Sequence, residues 1–297
     1  MSSSSAPGRP GNPDDLLKTV LAENQRTEPQ RLREVLDALT RHLFAFARET
    51  QLSYHELELA LQFLNEVGKA TGPQKNEAIL LADVLGLSTL VQLQDATRIL
   101  EAGGTEPGLI GPFWRANHPS LPAGADIFSP DTPGTRVQLN IAIQDLQGRP
   151  IPGALVDVWQ ASPVGLYENQ DPDQVDMNLR GRFTTDVSGQ THLRTVRPAG
   201  YPIPIDGPVG VLLAQQKRHP MRPAHIHFIV IAQGYRVLST QIFDQIDAYI
   251  DSDVVFGALG SLIKQFEPHP TRAGELTLDV TLTLEPGPTL IPHPPLD

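Results

Sequence analysis

Residues 137–144 read Val137-Gln138-Leu139-Asn140-Ile141-Ala142-Ile143-Gln144, and this alternating stretch decides the fold class. Successive side chains of a β-strand point to opposite faces, so the alternation of branched apolar and amide residues predicts a half-buried strand. The same period recurs near the end of the chain at Leu276, Leu278, Val280, Leu282 and Leu284. Turn signals separate the two runs, as in Asp145-Leu146-Gln147-Gly148 and Asp186-Val187-Ser188-Gly189. The pattern predicts an antiparallel β-sandwich.

The first hundred residues have a different period. Apolar residues there recur every three or four positions, in one run at Leu32, Val35, Leu36, Leu39, Leu43 and Phe46 and in a second at Leu57, Leu61, Leu64 and Val67. This spacing predicts amphipathic helices. Ser53 and Glu56 form an S-x-x-E capping box before the second run. We therefore predict a mixed, mainly β fold with a disordered leader over 1–13, a helical domain over 14–105 and the β-sandwich domain over 106–297.

Composition excludes several kinds of partner. The 23 basic and 34 acidic residues give a net charge of −11, which argues against binding nucleic acid or an anionic membrane surface. No apolar run approaches the roughly 18 residues of a membrane span, so we do not expect an integral membrane protein. The chain has no cysteine, so a metal would have to use nitrogen and oxygen ligands. A cytoplasmic enzyme is expected, and residues 1–10 lack the apolar core of a signal peptide.

A histidine pair lies in Arg222-Pro223-Ala224-His225-Ile226-His227. The run 225–231 is typical of a strand, and alternation places His225 and His227 on one face, where a single metal ion can take both. Tyr167 and Tyr201 lie upstream in turn-like stretches, and two phenol oxygens with two imidazoles suit ferric iron. The rival cupin site needs a glutamate shortly after the second histidine, but residues 228–231 are apolar.

These residues also carry a family resemblance. The ordered series Tyr167, Tyr201, Arg222, His225, His227 and Gln241 resembles the active-site signature of the intradiol ring-cleavage dioxygenases, non-haem Fe(III) enzymes that open catechols between their two hydroxyls. Further matching segments are Gly111-Pro112-Phe113, residues 157–160, 178–183, 201–204 and 206–208, and Ser252-Asp253-Val254-Val255-Phe256-Gly257. The resemblance runs from about Leu32 to the last strand.

The resemblance implies an active site and its cofactor. One Fe(III) per chain would be bound by Tyr167, Tyr201, His225 and His227, with Tyr201 the ligand that the substrate displaces. Arg222 and Gln241 would stabilise charge that develops on the ring. The substrates would be a small aromatic diol or triol and O2. The helical domain would form the interface of a homodimer, where the family permits a bound lipid.

The substrate pocket implied by the resemblance comprises Leu80, Asp83, Gly111, Pro112, Phe113, Ile203 and Pro204. An acidic group at Asp83 can accept a hydrogen bond from a third ring hydroxyl, which favours hydroxyquinol (1,2,4-trihydroxybenzene) and the product 3-hydroxy-cis,cis-muconate or its keto form, maleylacetate. Gln241 is instead the residue expected in catechol enzymes. Catechol or chlorocatechol, opened to cis,cis-muconates, is therefore the alternative.

A hypothesis from another class is a non-enzymatic binding module. Residues 153–159 resemble the sheet of transthyretin-like domains, which carry ligands or act as structural modules. Those domains lack an equivalent of the two tyrosines and two histidines. Colour separates the two hypotheses, because tyrosinate bound to Fe(III) absorbs visible light.

Overall fold

The computed structural model describes residues 11–72 and 75–294. Most of the leader predicted over 1–13 lies outside the described residues, and Pro13 already begins the first helix. The helices of the described part are α1 (Pro13–Asn24), α2 (Gln30–Glu49), α3 (Tyr54–Ala70), α4 (Glu77–Val84), α5 (Leu87–Glu101), α6 (Pro208–Gln215) and a 3-10 turn at Gly260–Leu262. None of the described helices alone is long and apolar enough to cross a bilayer. Helices α4 and α5 reach that threshold only together, across a bend of 69°.

The chain divides into two compact units, one ending at Leu64 and the other beginning at Asn65. In the first unit α1 contacts α2, where the Asn24 side-chain amide donates to Asp37 Oδ1 at 3.0 Å. The predicted capping box is confirmed, because the Ser53 backbone N–H donates to Glu56 Oε2 at 2.8 Å and the Glu56 N–H to Ser53 Oγ at 3.3 Å. The domain boundary near residue 105 stays a prediction.

Helices α2 and α3 leave apolar side chains exposed. The exposed residues are Leu32, Val35, Leu39, Leu43, Phe46, Leu57, Leu61 and Leu64. They follow the three-to-four residue spacing that predicts one apolar face on each helix, so the prediction of amphipathic helices is confirmed. Continuous apolar faces of this length are rare on the surface of a monomer. They are therefore candidates for an interface with another chain.

Two sheets make up the second unit. The strands are β1 (Arg136–Asp145), β2 (Leu155–Trp159), β3 (Arg180–Thr184), β4 (Gln190–Val196), β5 (Tyr201–Pro202), β6 (Met221–Arg222), β7 (His225–Ile231), β8 (Leu238–Asp244), β9 (Ile263–Lys264), β10 (Glu267–Pro268) and β11 (Leu276–Leu284). One sheet has the order β10-β11-β1-β4 and the other β3-β2-β7-β8-β9, while β5 and β6 pair separately. The main core cluster contains apolar residues from both larger sheets, including Ile141 of β1 and Phe228 of β7.

The alternation in β1 is confirmed, since Val137, Leu139, Ile141 and Ile143 are all buried. The predicted mixed, mainly β fold class is confirmed, but two strand pairs in the sheets are parallel rather than antiparallel. Strand β1 pairs with β11 in parallel, with Ile141 opposite Val280, and β8 pairs with β9 in parallel. A half-buried strand buries the same alternate residues whether its neighbour is parallel or antiparallel. The alternating pattern therefore does not distinguish parallel from antiparallel pairing.

Candidate metal centre and substrate pocket

A row of cross-strand neighbours builds the floor of the site. His227 on β7 pairs with Trp159 on β2 and with Gln241 on β8, and Trp159 pairs in turn with Arg180 on β3. Residues directly opposite on neighbouring strands project from the same face. His225, two positions earlier on β7, shares that face and pairs with Phe243. The sheet register therefore brings both histidines to one surface.

Four donor atoms meet above this face. His225 Nε2 lies 3.0 Å from His227 Nε2 and 3.4 Å from the Tyr201 hydroxyl, which lies 3.1 Å from the Tyr167 hydroxyl. Nitrogen and oxygen ligands bind a transition metal at about 2.0–2.2 Å, so ligands at roughly right or tetrahedral angles are about 2.8–3.5 Å apart. The observed spacing is that of neighbouring ligands around one ion. The sequence prediction that these four residues meet is thus matched by the geometry.

The imidazoles are in the form that binds a metal. Burial, with the nearby Arg222 charge, holds the pKa of His225 well below its usual value. Burial and then the charge of His225 do the same to the pKa of His227. His225 Nδ1 lies 2.7 Å from the Pro223 carbonyl oxygen, so the Nδ1–H donates there and Nε2 keeps its lone pair for an ion.

The two phenols need a cation to ionise. Burial, followed by the neighbouring Tyr201, raises the pKa of Tyr167 well above its usual value. Burial also raises the pKa of Tyr201, although the charge of Arg222 opposes it. A highly charged ion would offset the cost of two buried phenolates. The thiol-free set of two oxygen and two nitrogen ligand atoms therefore fits a ferric ion.

Arg222 is buried beside the donor atoms. Its Nε and Nη2 donate to Asp253 at 3.2 Å each, and Nη2 also donates to Gln241 Oε1 at 3.0 Å. Its Nη1 lies 3.3 Å from His225 Nε2. Burial alone would lower the pKa of Arg222, but Asp253 and Tyr201 outweigh burial and raise it. The guanidinium is thus a fixed positive charge whose Nη1 faces His225 Nε2, one of the four candidate ligand atoms.

Gln241 links this arginine to a histidine. Its Nε2 donates to the Leu109 carbonyl at 2.7 Å and lies 3.2 Å from His227 Nδ1. The side chain therefore contacts both Arg222 and His227, and it is buried with them. The two residues predicted to act on the ring lie next to the four donor atoms and to each other.

Of the predicted pocket residues, Gly111 and Phe113 contact this centre, and Leu80 and Ile203 lie in a neighbouring apolar cluster. Gly111 has a positive φ of 70°, and a side-chain carbon there would lie 3.6 Å from His227 Cε1. The Phe113 ring, which follows buried Pro112, lies 4.6 Å from the Tyr167 ring. Leu80 and Ile203 belong to one apolar cluster with Leu109, Val209, Leu213, Val254 and Val255. That cluster extends from α4 to Val254 and Val255, in the loop that follows β8.

Asp83 is buried on α4, two residues before its C-cap. Burial raises the pKa of Asp83 to about 6, opposed by a hydrogen bond from Ser88 and the charge of Arg222. Pro204 is less central. It lines a cavity of about 330 Å³ with Lys75, Asn169 and Asp206.

Three residues near the centre were not singled out by sequence reasoning. Trp159 stacks on His227, and Asp253 binds Arg222. Fully buried Arg180 donates to Glu168 Oε2 at 2.7 Å and to the Phe113 carbonyl at 2.7 Å, and its guanidinium carbon lies 5.7 Å from the centre of the Tyr167 ring. All three lie in segments that carry the family resemblance, so position within those segments was the available signal.

Two family models match this chain. Residues 109–284 match the model described as "Dioxygenase", and residues 29–103 match "Catechol dioxygenase N terminus". The chain belongs to the intradiol ring-cleavage dioxygenases. It is therefore an enzyme of the 1,2-dioxygenase type, and the hypothesis of a non-enzymatic binding module is wrong. The family implies a non-haem iron cofactor.

Individual intradiol dioxygenases are similar over most of their length. A hydroxyquinol 1,2-dioxygenase of a Rhizobium species is 41% identical over 251 residues, 84% of each chain. A catechol 1,2-dioxygenase of Candida albicans is 35% identical over 91% of this chain and 88% of its own. Among solved structures, a hydroxyquinol 1,2-dioxygenase of Pseudomonas putida aligns with a TM-score of 0.81 at 35% identity, covering 93% of this chain and 99% of that one.

Proposed function

We propose that this intradiol dioxygenase cleaves hydroxyquinol between its vicinal hydroxyls, inserts both atoms of O2 and releases 3-hydroxy-cis,cis-muconate, which tautomerises to maleylacetate. The observation that carries the substrate choice is Asp83, a carboxyl buried in the wall of the site with a pKa raised to about 6. A site built with a buried hydrogen-bonding group discriminates strongly against analogues that lack the matching hydroxyl. The similar hydroxyquinol enzymes support the same choice.

The metal assignment rests on the four converging donor atoms. Tyr167, Tyr201, His225 and His227 would hold one Fe(III) per chain. The ion would supply Lewis acidity that draws electron density from a bound catecholate toward itself. His225 is held for this task by its Nδ1–H bond to the Pro223 carbonyl, and His227 by its hydrogen bond to the Leu109 carbonyl.

Tyr201 is suited to move a proton. Its hydroxyl lies within hydrogen-bonding distance of the Tyr167 hydroxyl and of His225 Nε2, and its phenol pKa is raised by burial. A phenolate oxygen freed in this pocket is therefore a strong base. We assign it the role of taking up a proton from the substrate hydroxyl nearest to it, as the ligand that the substrate displaces.

Arg222 and Gln241 would stabilise the charged ring. The Arg222 guanidinium cannot lose its proton, and its Nη1 is directed at the donor cluster. Negative charge that develops on the substrate ring or its oxygen meets a positive charge already in place, which lowers the barrier without reorganisation. Gln241 holds Nη2 of that guanidinium through its Oε1.

Apolar groups would enclose the substrate. The cluster that contains Leu80, Leu109, Ile203 and Val254 is buried, and Phe113 contacts the Tyr167 ring. Such walls exclude water and suit an aromatic ring. Gly111 and Pro112 would complete the wall beside His227, and Pro204 would line the approach from the neighbouring cavity.

The helical residues 14–105 would form the dimerisation domain of a homodimer. The exposed apolar faces of α2 and α3 support this assignment, since a second copy would bury them. A lipid between the helical domains, and a cytoplasmic location, stay predictions.

A substrate panel tests the proposed function. Oxygen uptake and product absorbance are measured with hydroxyquinol, catechol and 4-chlorocatechol on iron-loaded enzyme. We expect one O2 consumed per ring, intradiol product from each accepted substrate, and the highest kcat/KM for hydroxyquinol. A higher kcat/KM for catechol would establish the alternative, which the glutamine at position 241 favours. Absence of turnover with all three would contradict the proposal.

A further inference from the structure

The Arg218 side chain connects two segments of the main chain beside the pocket. It lies in the loop between α6 and β6, four residues before Arg222. Its Nη1 donates to the Val84 carbonyl at the C-terminal end of α4 at 2.9 Å, and its Nη2 donates to the Val254 carbonyl. Its guanidinium carbon lies 4.8 Å from the centre of the Phe256 ring. One side chain thus binds main-chain atoms of two segments that are far apart in the sequence.

The second of those segments, residues 253–257, forms a tight turn around the Asp253 carboxylate (the Asp253 turn). Asp253 Oδ1 accepts from the Val255 N–H at 3.3 Å, and Oδ2 accepts from the Gly257 N–H at 3.0 Å. The same two oxygens accept from Arg222 Nε and Nη2 at 3.2 Å each. The carboxylate is therefore fixed by its own turn and presents its remaining acceptor positions to Arg222.

This turn contains a disfavoured backbone conformation. Phe256 has φ +60°, a left-handed conformation that bulky side chains rarely adopt. Such a conformation persists only where the surrounding structure holds it. Arg218 covers one part of the Phe256 ring, and Gly86, at the start of α5, approaches the same ring, where an added side-chain carbon would lie 3.4 Å from Cδ2.

The α4 wall is tied to the same turn. Val84 follows Asp83 directly, and Thr89 Oγ1 on α5 donates to the Val255 carbonyl at 2.9 Å. Arg218 and Thr89 thus add hydrogen bonds to the apolar packing of Val84 against Val254 and Val255 that joins the end of α4 to the Asp253 turn. Asp83 lies on one side of this connection and the partner of Arg222 on the other.

We infer that Arg218 is a positioning residue: by clamping the Asp253 turn against the end of α4, it keeps Asp253 where it directs Arg222 Nη1 at the donor cluster. With Nε and Nη2 bound to Asp253 and Gln241, Nη1 is the edge of the guanidinium that faces His225 Nε2, at 3.3 Å. A relaxed turn would displace the carboxylate and rotate this edge. The expected effect of the clamp on catalysis rests on the proposed function, whereas the clamp itself does not.

The test compares Arg218→Ala and Arg218→Lys with a matched control, Arg136→Ala. Like Arg218, Arg136 is half-buried, donates to a main-chain carbonyl (Thr132, 2.9 Å) and stacks on a phenylalanine (Phe128, 4.0 Å). It lies on β1, in the sheet that does not carry the two histidines. The first readout is amide hydrogen exchange at Val255 and Gly257, whose N–H groups close the Asp253 turn. The second is kcat and KM on the best substrate of the panel, with iron content and visible absorbance recorded for each variant.

We expect Arg218→Ala to speed exchange at Val255 and Gly257 at least tenfold while Arg136→Ala leaves it unchanged. We expect kcat to fall about tenfold at nearly constant iron content, since charge stabilisation by Arg222 is lost while the four donors are untouched. Arg218→Lys, whose single ammonium cannot reach both carbonyls with the same fork, should give an intermediate loss. Unchanged exchange in Arg218→Ala would overturn the inference, as would a kcat loss no greater than that of the control.

A failure of the proposed function and a failure of the Arg218 positioning role would give different results. If wild-type enzyme cleaves none of the three catechols, the proposed function fails, and hydrogen exchange alone decides whether Arg218 clamps the turn. If wild type is active and Arg218→Ala loses iron together with activity, Arg218 supports the metal centre or the fold rather than Arg222, and the positioning role is rejected.

Discussion

The Trp159 indole lies face to face with the His227 imidazole, with ring centroids 4.5 Å apart and planes inclined by 8°. The stack fixes the plane of the imidazole, while Gln241 contacts its Nδ1. Groups that orient a metal ligand typically change metal affinity about 10- to 100-fold when they are removed. Trp159 is therefore expected to influence the iron although none of its atoms can bind it.

We predict that Trp159→Leu weakens iron binding about tenfold or more, because the ring of His227 is freed to rotate. Competition with a chelator, followed by the loss of visible absorbance, measures the affinity. Trp159→Phe keeps an aromatic face against His227 and is the control. Equal affinities for the leucine and phenylalanine variants would show that stacking does not orient the ligand.

Tyr167→Phe should bleach most of the visible absorbance and lose iron, because it removes one anionic donor from the set of four. The purified wild type should hold about one ferric ion per chain. Tyr235→Phe is the matched control, since that tyrosine is partly buried against the sandwich core. A red, iron-replete Tyr167→Phe protein would exclude Tyr167 as a ligand.

Asp83→Ala should lower kcat/KM for hydroxyquinol by one to two orders of magnitude, the loss expected for a charged hydrogen-bond partner worth about 1.5–3 kcal/mol. Turnover of catechol should be unchanged or improved, because catechol has no third hydroxyl. The ratio of the two efficiencies, measured by oxygen uptake, is the test. An equal loss on both substrates would assign Asp83 to helix packing and favour catechol as the substrate.

Asp83 also predicts a pH dependence of stability. Its pKa is raised by burial from about 3.8 to about 6, so the folded chain binds the proton more tightly than the unfolded chain. The stability is therefore intact below about pH 4 and decreases as pH rises through 6, by about 3 kcal/mol in total. Asp83→Asn cannot ionise. In urea unfolding, the stability of the variant relative to wild type should rise between about pH 4 and 6 and level off above that; a constant difference would contradict the raised pKa.

The exposed face of α2 predicts a homodimer. Leu39→Glu and Leu43→Glu should reduce the mass measured by light scattering from two chains to one, since they place charge on side chains that are 53% and 55% exposed. Val187→Glu is the control, because Val187 is 89% exposed in the turn between β3 and β4. A monomeric wild type at micromolar concentration would contradict the prediction.

The parts of the fold that could be predicted are those set by local periodicity. The alternation in β1, the shared face of His225 and His227 on β7, the spacing in α2 and α3 and the Ser53–Glu56 capping box all follow from side-chain direction along a strand or helix. Helix α6 was not predicted, because it spans only eight residues after a proline-rich loop. A single short helix of this kind gives too few turns for a period to show.

The residues proposed to bind iron could be selected from the sequence because their side chains themselves carry the chemistry. The histidine pair shows its shared face in the sequence, whereas Arg222 and Asp253 lie 31 positions apart and nothing local connects them. The same holds for Arg180 and Glu168, a buried ion pair across a loop. Long-range partners of this kind depend on register and topology, which the sequence pattern leaves open.

The parallel pairing of β1 with β11 has a consequence for how the protein is made. As the chain leaves the ribosome, each residue of β1 emerges about 140 residues before its partner in β11, so one edge of β1 has no partner until translation is almost finished. The sheet that carries the histidines, built from residues 155–264, can pair earlier. A premature stop before Leu276 would thus release a chain that contains every residue proposed to bind iron but lacks β11, the strand between β10 and β1, and the open edge of β1 would be available for aggregation.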